Sequence, residues 1–129
     1  MKILLSGASG QLGQELLPGL QALGEVTRVD RTIEGRDRQS FEQDLGDLNR
    51  TETLLNRLHP DLVVNAAAYT AVDRAEEDYV TAFRINADLP GCLARWSQRN
   101  ERLLVHYSTD YVFSGEAREP YREEDPTGP

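Results

Sequence analysis

The chain has 129 residues, 39% of them hydrophobic and 28% charged, which fits one soluble globular domain large enough to bury a core. Its 22 acidic residues outnumber its 14 basic ones, and this excess argues against nucleic acid or an anionic membrane as a partner. The single cysteine, Cys92, excludes an internal disulfide framework, and no apolar run reaches the ~20 residues of a membrane helix or resembles a signal peptide, so we expect a cytoplasmic protein.

In the first half of the chain, short apolar runs alternate with helical patterns, which predicts β-α-β units around a parallel sheet. The first strand is predicted over 2–5, the second over 25–30 and a short third over 40–44, after the charged loop 31–39. A helix is predicted from Gln11 to a stop at Gly24, with a kink at Pro18. Its predicted core-facing residues are Leu12, Leu16, Leu20 and Leu23.

In the second half, Asp47 is placed to cap a helix that runs to about residue 58, and residues 62–64 have the composition of a buried strand. Apolar spacing then predicts one long amphipathic helix over 74–99, bent at Pro90, and a last strand over 102–107. The helix over 47–58 turns Leu48, Leu54, Leu55 and Leu58 to the core; the long helix turns Ala75, Tyr79, Ala82, Phe83, Asn86, Leu89, Leu93 and Trp96 there. These elements predict an α/β fold, a Rossmann-like doubly wound parallel sheet with about five strands in the order 3-2-1-4-5.

The glycine-rich segment 7–13 lies between the first predicted strand and the first predicted helix. Gly7, Gly10 and Gly13 let the backbone turn tightly and approach a pyrophosphate, which then lies against the free N–H groups of the helix, beside Gln11 and Leu12. The alternative is a structural glycine turn. The context favours a dinucleotide-binding domain over 1–113.

Asp30 ends the second predicted strand, near the spacing expected of an acid that binds an adenosine ribose. A carboxylate there favours a free 2′-hydroxyl, whereas the neighbouring Arg31 can pair with a 2′-phosphate. Both NADH and NADPH therefore stay open as cofactors. The alternative is that Asp30 is simply a solvated acid.

Four segments together resemble the dTDP-4-dehydrorhamnose reductase family, in the extended branch of the short-chain dehydrogenase/reductase proteins. They are the Gly-x-x-Gly-x-x-Gly spacing, Asp44-Leu45, the string Asn-Ala-Ala-Ala-Tyr-Thr-Ala-Val-Asp over 65–73, and Ser-Thr-Asp-Tyr-Val-Phe over 108–113. The resemblance implies an enzyme that uses NADH or NADPH to reduce the C4 ketone of dTDP-4-dehydro-L-rhamnose to dTDP-L-rhamnose, a precursor of cell-envelope polysaccharide.

The resemblance also implies further cofactor contacts. Asp44 would bond the adenine amino group and Leu45 would cover a ring face, unless Asp44 merely begins a loop. Small alanines at the end of the fourth strand, with Tyr69 after them, would let a flat cofactor lie close to the sheet edge, unless they serve helix packing alone. The two alanines in question are Ala67 and Ala68.

Thr109 is the residue to which the resemblance assigns hydrogen bonding to the substrate ketone. Asp110 would lie near the sugar nucleotide and Tyr111 would line the substrate pocket. The family's proton donor is a tyrosine with a lysine four residues later, but no tyrosine here is followed by lysine at that spacing, and the one lysine, Lys2, opens the first strand. We therefore expect a cofactor-binding N-terminal part of the enzyme, with at most weak cofactor binding and no activity alone.

Residues 114–129 are acidic, proline-rich and without periodicity, which predicts a loop or tail that leads to a catalytic helix and substrate domain lying beyond the chain. Asn86 is expected either to brace the backbone of the active site or to tie helix to strand. His106 and Cys92 are expected to be buried packing residues, and no metal site is expected.

Two other functions stay open: a non-catalytic NAD(P)-binding regulatory subunit resembling the β subunit of methionine adenosyltransferase, and an interaction fragment without a formed cofactor site. A homodimer is possible, because the edge of an incomplete sheet invites association.

Overall fold

Five parallel strands form a single sheet in the computed structural model, which describes residues 1–128. The strand order is β3-β2-β1-β4-β5, which confirms the predicted Rossmann topology. The strands are β1 (Lys2–Ser6), β2 (Glu25–Asp30), β3 (Ser40–Glu42), β4 (Leu62–Asn65) and β5 (Leu103–His106). The helices are α1 (Gln11–Leu23), α2 (Leu48–Leu58), α3 (Val72–Glu77), α4 (Tyr79–Phe83) and α5 (Leu89–Arg99), with a π-helical turn (Arg84–Asp88) before α5 and a 3₁₀ turn (Asp110–Val112) after β5.

The two faces of the sheet are covered by different helices, as a doubly wound fold requires. Successive residues of β1 point to opposite faces, so Leu4 packs in one core cluster while Ile3 and Leu5 pack in another. The Leu4 cluster includes side chains of α2 and α5, and its largest member is Trp96 of α5. The Ile3 cluster includes Leu20 of α1. Both faces of the central strands are therefore buried, which explains the nearly continuous apolar runs in β1 and β4.

The ends of α1 and α2 follow the predicted signals. Gly24 follows the last residue of α1, and the Asp47 side chain accepts a hydrogen bond from the Arg50 N–H at the start of α2. His59 ends α2 in a left-handed conformation, just before Pro60. The predicted core face of α1 was wrong at its two ends, because Leu12 lies at the open sheet edge and Leu23 at the last turn, and both are exposed.

The single long helix predicted over 74–99 was wrong. Asp78 interrupts it, because its side chain accepts a hydrogen bond from the Thr81 N–H and starts a new helix. Pro90 lacks an N–H group and crowds the preceding turn, and here that turn is a π helix rather than a simple bend. The interruptions rotate Tyr79 and Phe83 out of the core, where they are 65% and 49% exposed.

The prediction of a buried last strand was also wrong. β5 pairs only with β4 and forms the edge of the sheet, and Leu103 and Val105 are 68% and 43% exposed. No helix within residues 1–128 covers these two side chains, whereas Leu104 on the other face packs against the Leu4 cluster. His106, expected to be buried, is exposed at the end of this edge strand.

No helix within residues 1–128 has both the length and the hydrophobicity that a membrane crossing requires. Residues 114–128 contain no helix or strand, in agreement with the predicted loop.

Candidate cofactor-binding site

The carboxyl ends of all five strands lie at one edge of the sheet because the strands are parallel. After β1 the chain turns into α1 on one face, and after β4 it leads towards α5 on the other. In open α/β sheets this change of direction leaves a crevice that accepts ligands. The glycine loop, Asp30, the alanines after β4 and the Thr109 turn all follow these strand ends.

The three glycines of the loop over 7–13 have three different structural roles. Gly7 has a φ of 71°, and a Cβ there would lie 2.5 Å from the backbone of Ala66 and Ala67. A Cβ at Gly13 would overlap the Gly7 carbonyl oxygen, so this glycine permits close packing of α1 on the loop. A Cβ at Gly10 would meet only the Gly7 oxygen, at 3.3 Å. Gly10 is exposed and is the least crowded of the three, so a ligand can approach its backbone.

The N-terminus of α1 opens onto the same space. Gly10 occupies the N-cap position, no side chain caps the helix, and the first helical hydrogen bond runs from the Gln14 N–H to the Gly10 oxygen. The N–H groups of Gln11, Leu12 and Gly13 precede that bond and therefore have no acceptor within the helix. Free N–H groups and the positive end of the helix dipole suit an anion such as a pyrophosphate.

Asp30 joins the glycine loop to the end of β2. One carboxylate oxygen accepts a hydrogen bond from the Ser9 N–H at 2.9 Å, and the other accepts one from the Arg31 N–H at 2.7 Å. The carboxylate is therefore held in a fixed orientation at the crevice, and it is more than a solvated acid. Each oxygen keeps a lone pair that can accept a ribose hydroxyl.

Asn65 connects three strand ends, a role that the sequence analysis did not assign to it. Its Oδ1 accepts hydrogen bonds from the buried Ser6 hydroxyl at 2.6 Å and from the Ala67 N–H at 3.3 Å. Its Nδ2 lies 3.0 Å from His106 Nδ1, so the imidazole accepts at Nδ1 and, when neutral, carries its proton on Nε2. One feature of the sequence could have indicated this role. Asn65 directly follows the apolar residues of β4, and an amide buried there must find hydrogen-bond partners.

Asn86 braces the loop after β4. Its Oδ1 accepts a hydrogen bond from the Tyr69 N–H at 2.8 Å, and its Nδ2 donates to the Tyr69 oxygen at 3.1 Å. Of the two roles expected for Asn86, the structure favours the one at the site backbone. Its predicted place on a buried stripe was wrong, because the π-helical turn leaves it exposed and directed at this loop.

Asp44 and Leu45 lie at the far side of the crevice, after β3. The Asp44 carboxylate accepts a hydrogen bond from the Gly46 N–H at 2.9 Å, as expected of a residue that begins a loop, and the residue remains exposed. Leu45 is only 5% exposed and packs in the Leu4 cluster, so most of its side chain serves the core. Beside the crevice, Ala67 is half-buried and Ala68 is exposed.

The Thr109 turn is held by short-range hydrogen bonds of the Thr109 side chain. The Thr109 hydroxyl accepts a hydrogen bond from the Tyr111 N–H at 3.2 Å and donates to the Asp110 carboxylate at 3.3 Å. All three residues are exposed, and Tyr111 is 81% exposed. Their side chains are therefore accessible to a substrate at the mouth of the crevice.

The segment after this turn folds back on it. The ring of Tyr121 stacks on Phe113 with 4.4 Å between centroids, and its hydroxyl accepts a hydrogen bond from the Ala117 N–H. Hydrogen bonds lower the pKa of Tyr121; the one with the Ser114 hydroxyl contributes most, followed by the one from the Ala117 N–H. Gly128 closes the segment by donating to the Val112 oxygen.

Residues 1–128 contain no group of three or more His, Cys, Asp and Glu side chains placed to hold a metal ion. Cys92 is buried as predicted, and burial raises the pKa of its thiol.

Comparisons with known proteins give a consistent result. A family profile described as RmlD substrate binding domain matches residues 1–129. The chain is 48% identical to a dTDP-4-dehydrorhamnose reductase from Burkholderia thailandensis, over 100% of the chain and 40% of that protein.

Solved structures agree with the sequence comparison. A hypothetical dTDP-4-dehydrorhamnose reductase from Sulfolobus tokodaii matches with a TM-score of 0.88 at 39% identity, over 100% of the chain and 46% of that structure. A dTDP-4-dehydrorhamnose reductase from Bacillus anthracis, in complex with NADP, matches with a TM-score of 0.84 at 30% identity, over 99% of the chain and 43% of that structure. The chain thus spans less than half the length of each of these three proteins.

Proposed function

The chain belongs to the RmlD substrate binding domain family, and we propose that it is the cofactor-binding N-terminal part of a dTDP-4-dehydrorhamnose reductase. The parent enzyme would use NADH or NADPH to reduce dTDP-4-dehydro-L-rhamnose to dTDP-L-rhamnose. The observation that carries the cofactor site is the glycine loop: Gly7 and Gly13 are packed against backbone, while Gly10 is exposed at the uncapped start of α1.

The residues at the crevice fit a dinucleotide. The pyrophosphate would lie against Gly10 and the free N–H groups of Gln11 and Leu12, and the adenosine ribose would bond to Asp30. Asp44 would meet the adenine. Since the side chain of Leu45 is largely committed to the core, we assign its contact with the adenine mainly to its backbone.

The nicotinamide end would lie near the loop after β4. Ala67 and Ala68 leave room for a flat ring close to the sheet, and Asn86 holds the backbone of Tyr69 through two hydrogen bonds. When bound, the reduced nicotinamide supplies a hydride to the ketone carbon. Asn86 therefore acts as a positioning residue in this proposal, because it shapes the wall of the site without reaching the reacting atoms.

Thr109 would donate a hydrogen bond to the ketone oxygen, where negative charge develops during reduction. Its hydroxyl proton now points to Asp110, so the substrate oxygen would replace that carboxylate as acceptor. Asp110 would lie near the sugar nucleotide and Tyr111 would line the pocket. We propose that the 129-residue chain alone is inactive, because it contains no tyrosine with a lysine four residues later to supply the proton.

Titration of the purified chain with NADH, followed by NMR, tests the cofactor site. We expect weak but saturable binding that Gly10→Ala lowers at least about tenfold, because the methyl group occupies the approach to the backbone. Gly19→Ala is the matched control, since Gly19 lies in the same helix with nothing within 4 Å of its Cβ position, and it should leave binding unchanged. Absence of binding at millimolar NADH would contradict the proposal, as would ketone reduction by the chain alone.

We also propose that the parent protein is cytoplasmic and forms a homodimer. A free, buried cysteine suits a reducing compartment. Val72, Tyr79, Val80 and Phe83 are large apolar side chains left exposed on α3 and α4, and their burial would favour association. Sedimentation of the full-length protein tests this: Tyr79→Ser with Phe83→Ser should weaken the dimer, and an unchanged sedimentation profile would exclude this surface.

A further inference from the structure

A row of three polar side chains crosses the carboxyl ends of β1, β4 and β5. In the register of the sheet, Ser6 is the partner of Asn65, and Asn65 is the partner of His106. Partners in neighbouring parallel strands point to the same face of the sheet. The preceding row on this face contains Leu4 and Val63 and belongs to the apolar core. The polar row therefore lies where that core ends and the loop after β4 begins.

The Asn65 amide could take either of two orientations, and on one side a single contact selects between them. The Ala67 N–H donates to Asn65 Oδ1 at 3.3 Å, which requires the oxygen on that side. The Ser6 hydroxyl, 2.6 Å from the same oxygen, does not select, because a hydroxyl also accepts hydrogen bonds and Ser6 has the Val64 oxygen as a second acceptor at 3.4 Å. On this side the orientation depends on one long bond.

His106 selects the orientation from the other side. Asn65 Nδ2 lies 3.0 Å from His106 Nδ1, and Nδ1 accepts this bond because an amide nitrogen only donates. If the amide turned over, two acceptors would meet at His106 and two donors would meet at the Ala67 N–H. Asn65 is only 1% exposed, so water has little access to replace the bonds that would be lost.

We propose that His106 is a positioning residue of the cofactor site, which fixes the Asn65 amide and, through it, the loop at Ala67. The inference rests on the proposed cofactor function, because this loop is the wall along which the nicotinamide would lie. Asn86 holds the same loop further on, at Tyr69. Without the acceptor at His106, the Asn65 amide is free to turn, which releases the Ala67 N–H and loosens the wall.

Two substitutions at His106 separate the hydrogen-bond acceptor from the rest of the side chain. In His106→Leu a methyl group occupies the δ position, whereas in His106→Asn an amide oxygen can occupy it and accept from Asn65 as Nδ1 does. His106 is exposed at the end of an edge strand, so both variants should fold. The experiments are made at about pH 8, where a histidine side chain is normally neutral.

NMR titrations of the chain with NADH and with ADP-ribose measure the effect on the site. ADP-ribose has the adenosine, the pyrophosphate and the second ribose of NADH but no nicotinamide, so NADH alone reports on the wall at Ala67. His106→Leu should lower NADH affinity by about fivefold and change ADP-ribose affinity less than about twofold. His106→Asn should bind both ligands as the wild type does. A general loss of structure would instead weaken both ligands in His106→Leu.

NMR signals of single groups give an independent readout and a control. The ring nitrogens of His106 should show an unprotonated Nδ1 and a protonated Nε2, and the Ala67 amide signal should move in His106→Leu but not in His106→Asn. His59→Asn is the matched control, because His59 is the other histidine and ends α2 just before β4, at the opposite edge of the sheet. Asparagine tolerates its left-handed conformation, so neither the affinities nor the Ala67 signal should change.

Several results would overturn the inference and leave the cofactor site standing. They are equal losses of NADH and ADP-ribose affinity in His106→Leu, no recovery in His106→Asn, a protonated Nδ1 in the wild type, and equal wild-type affinities for NADH and ADP-ribose. Failure of the wild type to bind either ligand would instead overturn the proposed function, and the inference with it.

Discussion

The glycine loop and the Thr109 turn lie at the same edge of the sheet, but the fold holds them in different ways. The glycine loop is packed against the backbone after β4 and is tied to β2 through Ser9 and Asp30. The Thr109 turn is exposed and is held by short-range hydrogen bonds to Asp110 and Tyr111. The proposed cofactor half of the site is therefore held by contacts between distant strands, whereas the proposed substrate half is held by its own turn and by the segment that follows it.

The largest expected difference in stability between the two regions should appear when a glycine in each is replaced by alanine. Gly7 and Gly115 both have positive φ, but only Gly7 has backbone atoms where a Cβ would lie. Gly115→Ala should cost about 1–2 kcal/mol of unfolding free energy, the cost of the conformation alone. Gly7→Ala should cost more than about 3 kcal/mol, because overlap adds to that cost.

Urea denaturation measures both variants. Equal losses would show that the close contact of the glycine loop with the backbone after β4 contributes nothing, and the comparison of the two regions would fail.

The second prediction compares the stability lost when either of two side-chain amides near the site, Asn65 or Asn86, is replaced by alanine. Asn65→Ala removes the acceptor of the Ala67 N–H and leaves the buried Ser6 hydroxyl only the longer bond to the Val64 oxygen at 3.4 Å, so we expect a loss of about 2–4 kcal/mol of unfolding free energy. Asn86→Ala removes two hydrogen bonds to Tyr69 at an exposed position, where water can replace them, and should cost about 1 kcal/mol. Thermal unfolding of the two variants compares them, and a larger loss in Asn86→Ala would contradict this ranking.

The smallest expected effect is a dependence of stability on pH that arises in the loop after β2. Hydrogen bonding lowers the pKa of Asp37, chiefly through the Ser40 hydroxyl, and that of Glu42, chiefly through the Ile33 N–H. Because the folded pKa values lie below the unfolded ones, their contribution to stability is complete above about pH 5 and is lost as the pH falls through the folded values.

NMR follows this change at single amides. The Ile33 amide signal should shift as its acceptor, the Glu42 carboxylate, is protonated at a pH below the ordinary range of a glutamate, and Glu42→Gln should abolish most of that shift. A shift of equal size in the variant would show that Glu42 is not the group responsible.

Sequence reasoning was most successful where a local signal acts through adjacent residues. The strand order, the helix that follows the glycine loop and the Asp47 cap were all predicted and confirmed. It was least successful over 74–99, where the apolar period is continuous but Asp78 and Pro90 interrupt the hydrogen bonds. Local backbone chemistry there overrides the period.

The site residues divide in the same way. Glycine spacing and an acid after β2 were visible as motifs, and the placement of Asp30 beside the glycine loop agrees with them. The sequence analysis gave Asn65 no role and placed Asn86 on the wrong face of its helix. Their partners Ser6, His106 and Tyr69 lie 17 to 59 residues away in the chain. A local sequence pattern cannot indicate partners at that distance.

Periodicity and motif spacing were thus sufficient for the fold class and for the position of the glycine loop between β1 and α1, because both depend on backbone geometry that nearby residues impose. The exposure of β5 and His106, the joining of three strand ends by Asn65 and the bracing of Tyr69 by Asn86 were decided by the packed chain. Burial and pairing depend on which distant groups arrive at the same place, and only the tertiary structure brings those groups together.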